Sequence, residues 1–222
     1  MLLGAISFIR RYPVAALRGE MLDVAEIGER GIPGDRAKQL VVASGHVRVG
    51  RQYRGVDDER LHLVDGIGDA IVLARERGVE LRVESGGPFY FDGAISLIFD
   101  RWLDELSAHV GYPVEPERFR PNLLVRARND FTLLESDLLG SELDAGGVRL
   151  RVRKPISRCV VTTYDQNGGP SDPRILRFVA QRRDAKMGVY CDVLRAGTAR
   201  TGDSVRLAER WTSRTISSSA SM

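Results

Sequence analysis

Cysteine is nearly absent from this 222-residue sequence; only Cys159 and Cys191 occur, too few for a disulfide framework. A reducing, cytoplasmic setting without a structural disulfide is expected. Histidine is almost as scarce, with His46, His62 and His109 scattered in unrelated contexts, so neither a histidine-based triad nor a zinc site is expected. No phosphate-loop or nucleophile-elbow pattern is present. No apolar run approaches the roughly 20 residues that a membrane helix needs. The opening MLLGAISFIRRYPV carries its charges after its apolar stretch, so no signal peptide is expected. Basic and acidic residues alternate, without a polybasic tail or stripe. Neither nucleic acid nor a membrane is therefore an expected partner.

What remains is an ordinary globular composition. At 43% hydrophobic residues the chain can build a core unaided, as one large domain or two small ones. Its 23 glycines and 7% aromatics suit strands and turns. The net charge is only +3, but arginine greatly outnumbers lysine. Arginine keeps its charge when partly buried and grips phosphate or carboxylate with a planar fork; codon bias explains the excess equally well.

Leu3 to Ile9 is a short apolar run and reads as an opening strand, followed by strand-like residues from Met21 to Ile27. Leu40 to Ala43 and Val47 to Val49 flank Ser44-Gly45 and predict a β-hairpin. Asp69 to Arg77 has helical character, and Val79 to Val83 alternates as a strand does. The strongest helical spacing lies within Asp92 to Val110, where Ile95, Ile98, Phe99, Trp102, Leu103, Leu106 and Val110 share one face and Gly111 ends it. Strands are also predicted within Phe119 to Val125, Val148 to Val152, Val160 to Thr163, Val189 to Leu194 and Ser204 to Leu207, with a turn from Gly197 to Gly202. A short helix is predicted with Asp172 as its cap and Pro173 at its first position. Many short strands and few helices predict a mainly β (α+β) single domain built as a barrel. It spans residues 1–211, with a β-rich part to about residue 85, a core part beyond it and a flexible Ser/Thr-rich tail over 212–222.

Cys159 follows Arg158, and a neighbouring guanidinium favours the thiolate, the form that attacks electrophiles or binds soft metals. A cysteine among valines is more often a small core residue, and Cys191 reads that way more fully. Arg118-Phe119-Arg120-Pro121-Asn122 sets two arginines and an amide around a proline-stiffened bend, able to converge on one anion. Gly34-Asp35-Arg36 offers a further arginine after a tight turn. A solvated turn arginine is the plain alternative for each.

Taken in order, these segments resemble the MOSC family, named for the C-terminal domain of molybdenum-cofactor sulfurases. The likeness runs through Arg11-Tyr12-Pro13-Val14, Arg18-Gly19-Glu20, Gly34-Asp35-Arg36, Asp92 and Arg118 to Asn122, then Arg158-Cys159 and Gly188-Val189-Tyr190. The resemblance implies a β-rich fold that holds the molybdenum cofactor, with Cys159 as metal ligand and catalytic residue. It implies cofactor contacts from Arg18, Arg36, Asp92, Arg120, Asn122 and Arg158. Pyridoxal phosphate is not expected. Relatives reduce N-hydroxylated compounds with electrons from a separate donor protein, or are proposed to carry activated sulfur. An oxidoreductase, a carrier working through a Cys159 persulfide and a non-catalytic domain are the three functions to separate. One departure stands out, because Ala15-Ala16 occupies the place where relatives commonly have Lys-Ser.

Overall fold

The computed structural model describes residues 1–89 and 92–208. The tail over 212–222 lies outside the described residues. In chain order the strands of the first half are β1 (Leu2–Arg11), β2 (Glu20–Leu22), β3 (Val24–Ile27), β4 (Lys38–Ser44), β5 (Glu80–Ser85) and β6 (Ile95–Phe99). Those of the second half are β7 (Leu123–Ala127), β8 (Glu142–Ala145), β9 (Val148–Ser157), β10 (Lys186–Arg195), β11 (Gly197–Arg200) and β12 (Ser204–Leu207). Helices α1 (Ile67–Glu76), α2 (Arg101–Val110) and α3 (Pro173–Arg182), with four short 3-10 turns, complete the described elements.

Seven strands follow the order β12-β8-β9-β10-β6-β7-β1, and β1 pairs back to β12, which closes a barrel. Closure leaves no unpaired rim between these strands. Among these pairs β6 and β7 run parallel, because α2 carries the chain back between them. The barrel is filled by residues such as Leu3, Ile6, Phe99, Leu143 and Val189. The expected mainly β, barrel-forming chain is what is found. No described helix is long and apolar enough to cross a membrane.

A smaller lobe packs beside the barrel. Its frame is the antiparallel pair β4–β5 with α1, around a second core that includes Leu17, Leu40, Tyr53, Leu61 and Ala74. Asp58 anchors this lobe with a side chain shut off from solvent. It accepts from Arg60 Nη2 at 2.9 Å and pairs with Arg77 Nε at 2.8 Å. Burial alone would raise its carboxyl, but the bonds from Arg60 and the charge of Arg77 outweigh it and hold the group below the usual range. A depressed carboxylate contributes stability above its unfolded value that is lost as pH falls through the folded one. Asp58→Asn is therefore expected to cost about 2–3 kcal/mol at neutral pH. It should also flatten the decline of the urea midpoint below about pH 4. A parallel decline in both proteins would refute this.

Four local expectations are corrected. Residues 47–49 do not pair with β4; its partner is β5, in a register that sets Val42 against Leu81, and the returning chain adds only a bridge from Val41 to Gln52. The alternating Val79 to Val83 run offers a longer apolar partner than the three residues after the turn. The long helical stripe is really two elements. Ile95 to Phe99 is buried on both faces as β6, and only Arg101 onward is helical. A fully buried strand carries no alternation, so its apolar run merges with the helix stripe that follows. Asp100 makes the switch by accepting from the amides of Arg101 (2.8 Å) and Ala127 (2.9 Å), and Gly111 ends α2 in the left-handed conformation, as expected. Val160 to Thr163 forms a single 3-10 turn instead of a strand. Thr162 Oγ1 donates to Cys159 O at 2.9 Å and Thr163 Oγ1 to Val160 O at 2.7 Å, local bonds that compete with a ladder. Finally, the Gly197 to Gly202 turn contains β11, which pairs with β3. A Cβ on Gly197 would sit 2.4 Å from Gly147 O, so only glycine admits that approach.

Candidate functional site

A cleft of about 230 Å³ opens between the barrel and the smaller lobe. The barrel supplies Arg120 and Asn122 from the segment leading into β7, and Arg158 and Cys159 from the end of β9. The lobe side supplies Ala15, Ala16, Arg36 and the turn Arg54-Gly55-Val56.

Cys159 stands at the cap of the 3-10 turn and is exposed, whereas Cys191 is fully buried on β10, where burial pushes its thiol far up. The two cysteines thus divide as the sequence suggested. The turn behind Cys159 is pinned by Arg118, a buried guanidinium that donates to Thr163 O (3.0 Å), Tyr164 O (2.6 Å), Glu115 and Asp165. Arg118 is bonded out; it fixes the loop that presents the sulfur.

Arg120 is placed differently. Its backbone is left-handed at φ 51°, and its guanidinium lies 4.2 Å from the ring centre of Tyr12. Arg36 lies 4.8 Å from the same ring, so Tyr12 is held between two cations. Tyr12 is itself buried, donates to Pro121 O at 3.2 Å, and has its hydroxyl pushed up by burial against the opposing pull of both arginines. Arg36 is engaged, bonding to Asp35, Asn122 Oδ1 (3.4 Å) and Arg120 O (3.4 Å). Arg120 Nη2, by contrast, is buried without a partner among the described residues, and so is Nη2 of Arg158. Burial draws both guanidinium groups down to about 10, which leaves them charged at neutral pH. Arg158 is aimed by its other nitrogens, which donate to Met187 O (2.7 Å) and Phe119 O (2.8 Å).

Asn122 is buried and fully used. Its Oδ1 accepts from Ser96 N (3.0 Å) and Ser96 Oγ (2.9 Å), and its Nδ2 donates to Arg10 O at 3.1 Å. It ties β1 to β6 and steadies Arg36. Two other sequence candidates stand apart from the cleft. Arg18 reaches Asp65 at 3.8 Å in a neighbouring polar hollow that shares Arg120, and Asp92 pairs with Lys154 at 2.8 Å on a separate surface. Tyr12, Ser96 and Arg118 were not singled out from sequence for the parts they play here. His62 also lines the cleft, with its two ring nitrogens against Glu59 O and Asp165 O, where it links the lobe to the cysteine turn. No group of three or more His, Cys, Asp or Glu among the described residues could hold a metal, which leaves a lone soft thiol beside cations.

The family model of the MOSC domain matches residues 58–206, two thirds of the sequence. The chain belongs to the MOSC domain family. Domains of this family are associated with molybdenum-cofactor-related proteins. The match covers Arg118 to Asn122 and Arg158-Cys159, while Tyr12 and Arg36 precede it. Among solved structures, the YuaD protein of Bacillus subtilis is 20% identical over 92% of this chain and 94% of that one, with a TM-score of 0.57. This supports the shared MOSC fold and nothing finer. YiiM of Geobacillus stearothermophilus is 23% identical over 55% of this chain and 57% of that one, with a TM-score of 0.43. No curated protein matches the sequence significantly.

The residues of the cleft fit a phosphate-bearing, sulfur-coordinated cofactor. Two buried guanidinium nitrogens lack a partner, an arrangement that is costly until an anion completes it. An exposed thiol can serve as a soft metal donor. Ala15-Ala16 forms an uncharged part of the wall.

Proposed function

We propose that this MOSC protein binds the molybdenum cofactor in the cleft and acts as an oxidoreductase that reduces N-hydroxylated compounds, drawing electrons from a separate donor protein. The observation that carries this reading is the sharing of one cleft by the exposed Cys159 and the partnerless Arg120. Cys159 would ligate the metal as thiolate. Arg120 and Arg158 would take the phosphate, with Arg36 held ready by Asp35 and Asn122. When bound, the cofactor supplies two-electron redox chemistry that no side chain of the cleft provides. Each turnover replaces an N–O bond by N–H, consumes two electrons and two protons, and releases water. The apolar side chains of Val161 and Ile156 line the cleft together with the sulfur.

Cys159→Ser is expected to lower the molybdenum content of protein from a cofactor-competent host at least about tenfold, while Cys191→Ala changes it little. Equal metal in the Cys159→Ser protein would sink the assignment. The uncharged Ala15-Ala16 wall favours a second reading, in which the cofactor or a Cys159 persulfide is held loosely for delivery. Intact-mass measurement decides it, because a carrier shows a sulfur adduct on Cys159 that reductant removes.

A further inference from the structure

The floor of the cleft accounts for Arg36, Arg118, Arg120 and Arg158, but not for the arginine at its mouth. Arg54 is exposed, lines the cleft, and makes no side-chain hydrogen bond or ion pair among the described residues. Its backbone, however, is firmly held. Arg54 N donates to Asp57 Oδ2 at 2.8 Å, and Arg54 O accepts from the amides of Asp57 (2.8 Å) and Asp58 (3.3 Å). The acid nearest in sequence, Asp57, is paired with Arg51 and bonds only the backbone of Arg54. Nothing in the turn neutralises Arg54.

The same turn meets the cysteine loop directly. A Cβ on Gly55 would come within 3.1 Å of Val161 Cγ2, so the turn lies flat against the residues just past Cys159. Val56 beside it is 47% exposed, and Val161 lines the same cleft. A backbone-pinned turn therefore presents one free cation beside an apolar rim, in the same cleft as the exposed sulfur. That pattern recognises a molecule with an apolar body and a single anionic end.

We infer that Arg54 is a specificity-determining residue that selects carboxylate-bearing substrates, seating their apolar part against Val56 and Val161. This rests on the reading of the Cys159 cleft as the reaction site. The floor cations hold the cofactor's phosphate, and Arg54 holds the substrate's carboxylate. The guanidinium fork matches a carboxylate with two parallel bonds, and a neutral isostere forfeits them.

The test titrates benzoate, its neutral isostere benzamide, and inorganic phosphate into the full chain. Binding is followed by the amide resonances of Gly55 and Val161, and metal content is measured on each sample. Benzoate is expected to bind about fivefold more tightly than benzamide, the scale of a partly exposed ion pair. Arg54→Lys should keep only the part of that preference that charge alone supplies, and Arg54→Gln should abolish it. The inference is overturned if neither probe binds, if both bind equally, or if the preference survives in Arg54→Gln. It is also overturned if phosphate displaces benzoate competitively, since the mouth would then belong to the cofactor's phosphate. An absence of metal is scored separately and counts against the cofactor assignment alone.

Discussion

Replacing Arg120 by methionine is expected to cost cofactor retention on the order of 100-fold while leaving the ligand-free protein as stable as before, or more so. The two halves have one cause. Arg120 is a buried cation resting on the Tyr12 ring, with Nη2 unpartnered. Without an anion its desolvation is only partly offset by the ring, so an apolar side chain of similar length is tolerated or favoured. With an anion present, truncating a buried charge-assisted pair removes roughly 2–5 kcal/mol of binding. Molybdenum content of the purified variant reads the first effect, and thermal melting of metal-free protein reads the second. A variant that loses stability and metal together would show Arg120 to be an ordinary structural arginine.

Arg183→Met is expected to give a larger loss of stability, about 3–5 kcal/mol by urea unfolding. Arg183 ends α3 and pairs with Glu135 at 2.6 Å; both side chains are more than nine-tenths buried. Glu135 also accepts from Gly188 N at 3.0 Å, so removing the arginine strands a buried carboxylate. Gly188 has φ 82° at a register shift between β9 and β10, and a Cβ there would stand 3.0 Å from Arg158 Nη2. The ion pair thus braces the backbone under one of the cleft arginines. Adding Glu135→Gln should restore more than half of the loss, because the amide oxygen still accepts from Gly188 without a charge to desolvate. If the double variant is no better than the single one, the loss comes from packing of the arginine stem.

Much of this site was legible in sequence because its chemistry is carried by short runs. Arg158-Cys159 and Arg120-Pro121-Asn122 arrive in the cleft as contiguous pieces, and the capping of α3 by Asp172 was equally local. The division of labour within those runs was not legible. Arg118 and Arg120 are two residues apart in one motif, yet one is fully bonded and the other open, since the 3-10 turn Pro116–Phe119 and the left-handed Arg120 point them differently. Asn122 reads as a ligand by type, but Ser96, 26 positions earlier, takes up its amide. The boundary inside the stretch from Asp92 to Val110 was hidden because a buried strand and a helix face can present the same apolar spacing. Nothing local marks Arg54, whose place follows only from the seating of the smaller lobe.

The position of the cleft between two separately packed bodies has a consequence for how this protein can change. Cys159, Arg120 and Arg158 are all fastened to the barrel, whereas Arg54 and Val56 ride on a turn of the lobe. Substitutions at the exposed Arg54 and Val56 alter what approaches the sulfur without touching the strands that aim it. On the proposed function, reactivity would belong to one body and selectivity to the other, so a loop graft would be the route to new substrates for the lineage or for an engineer.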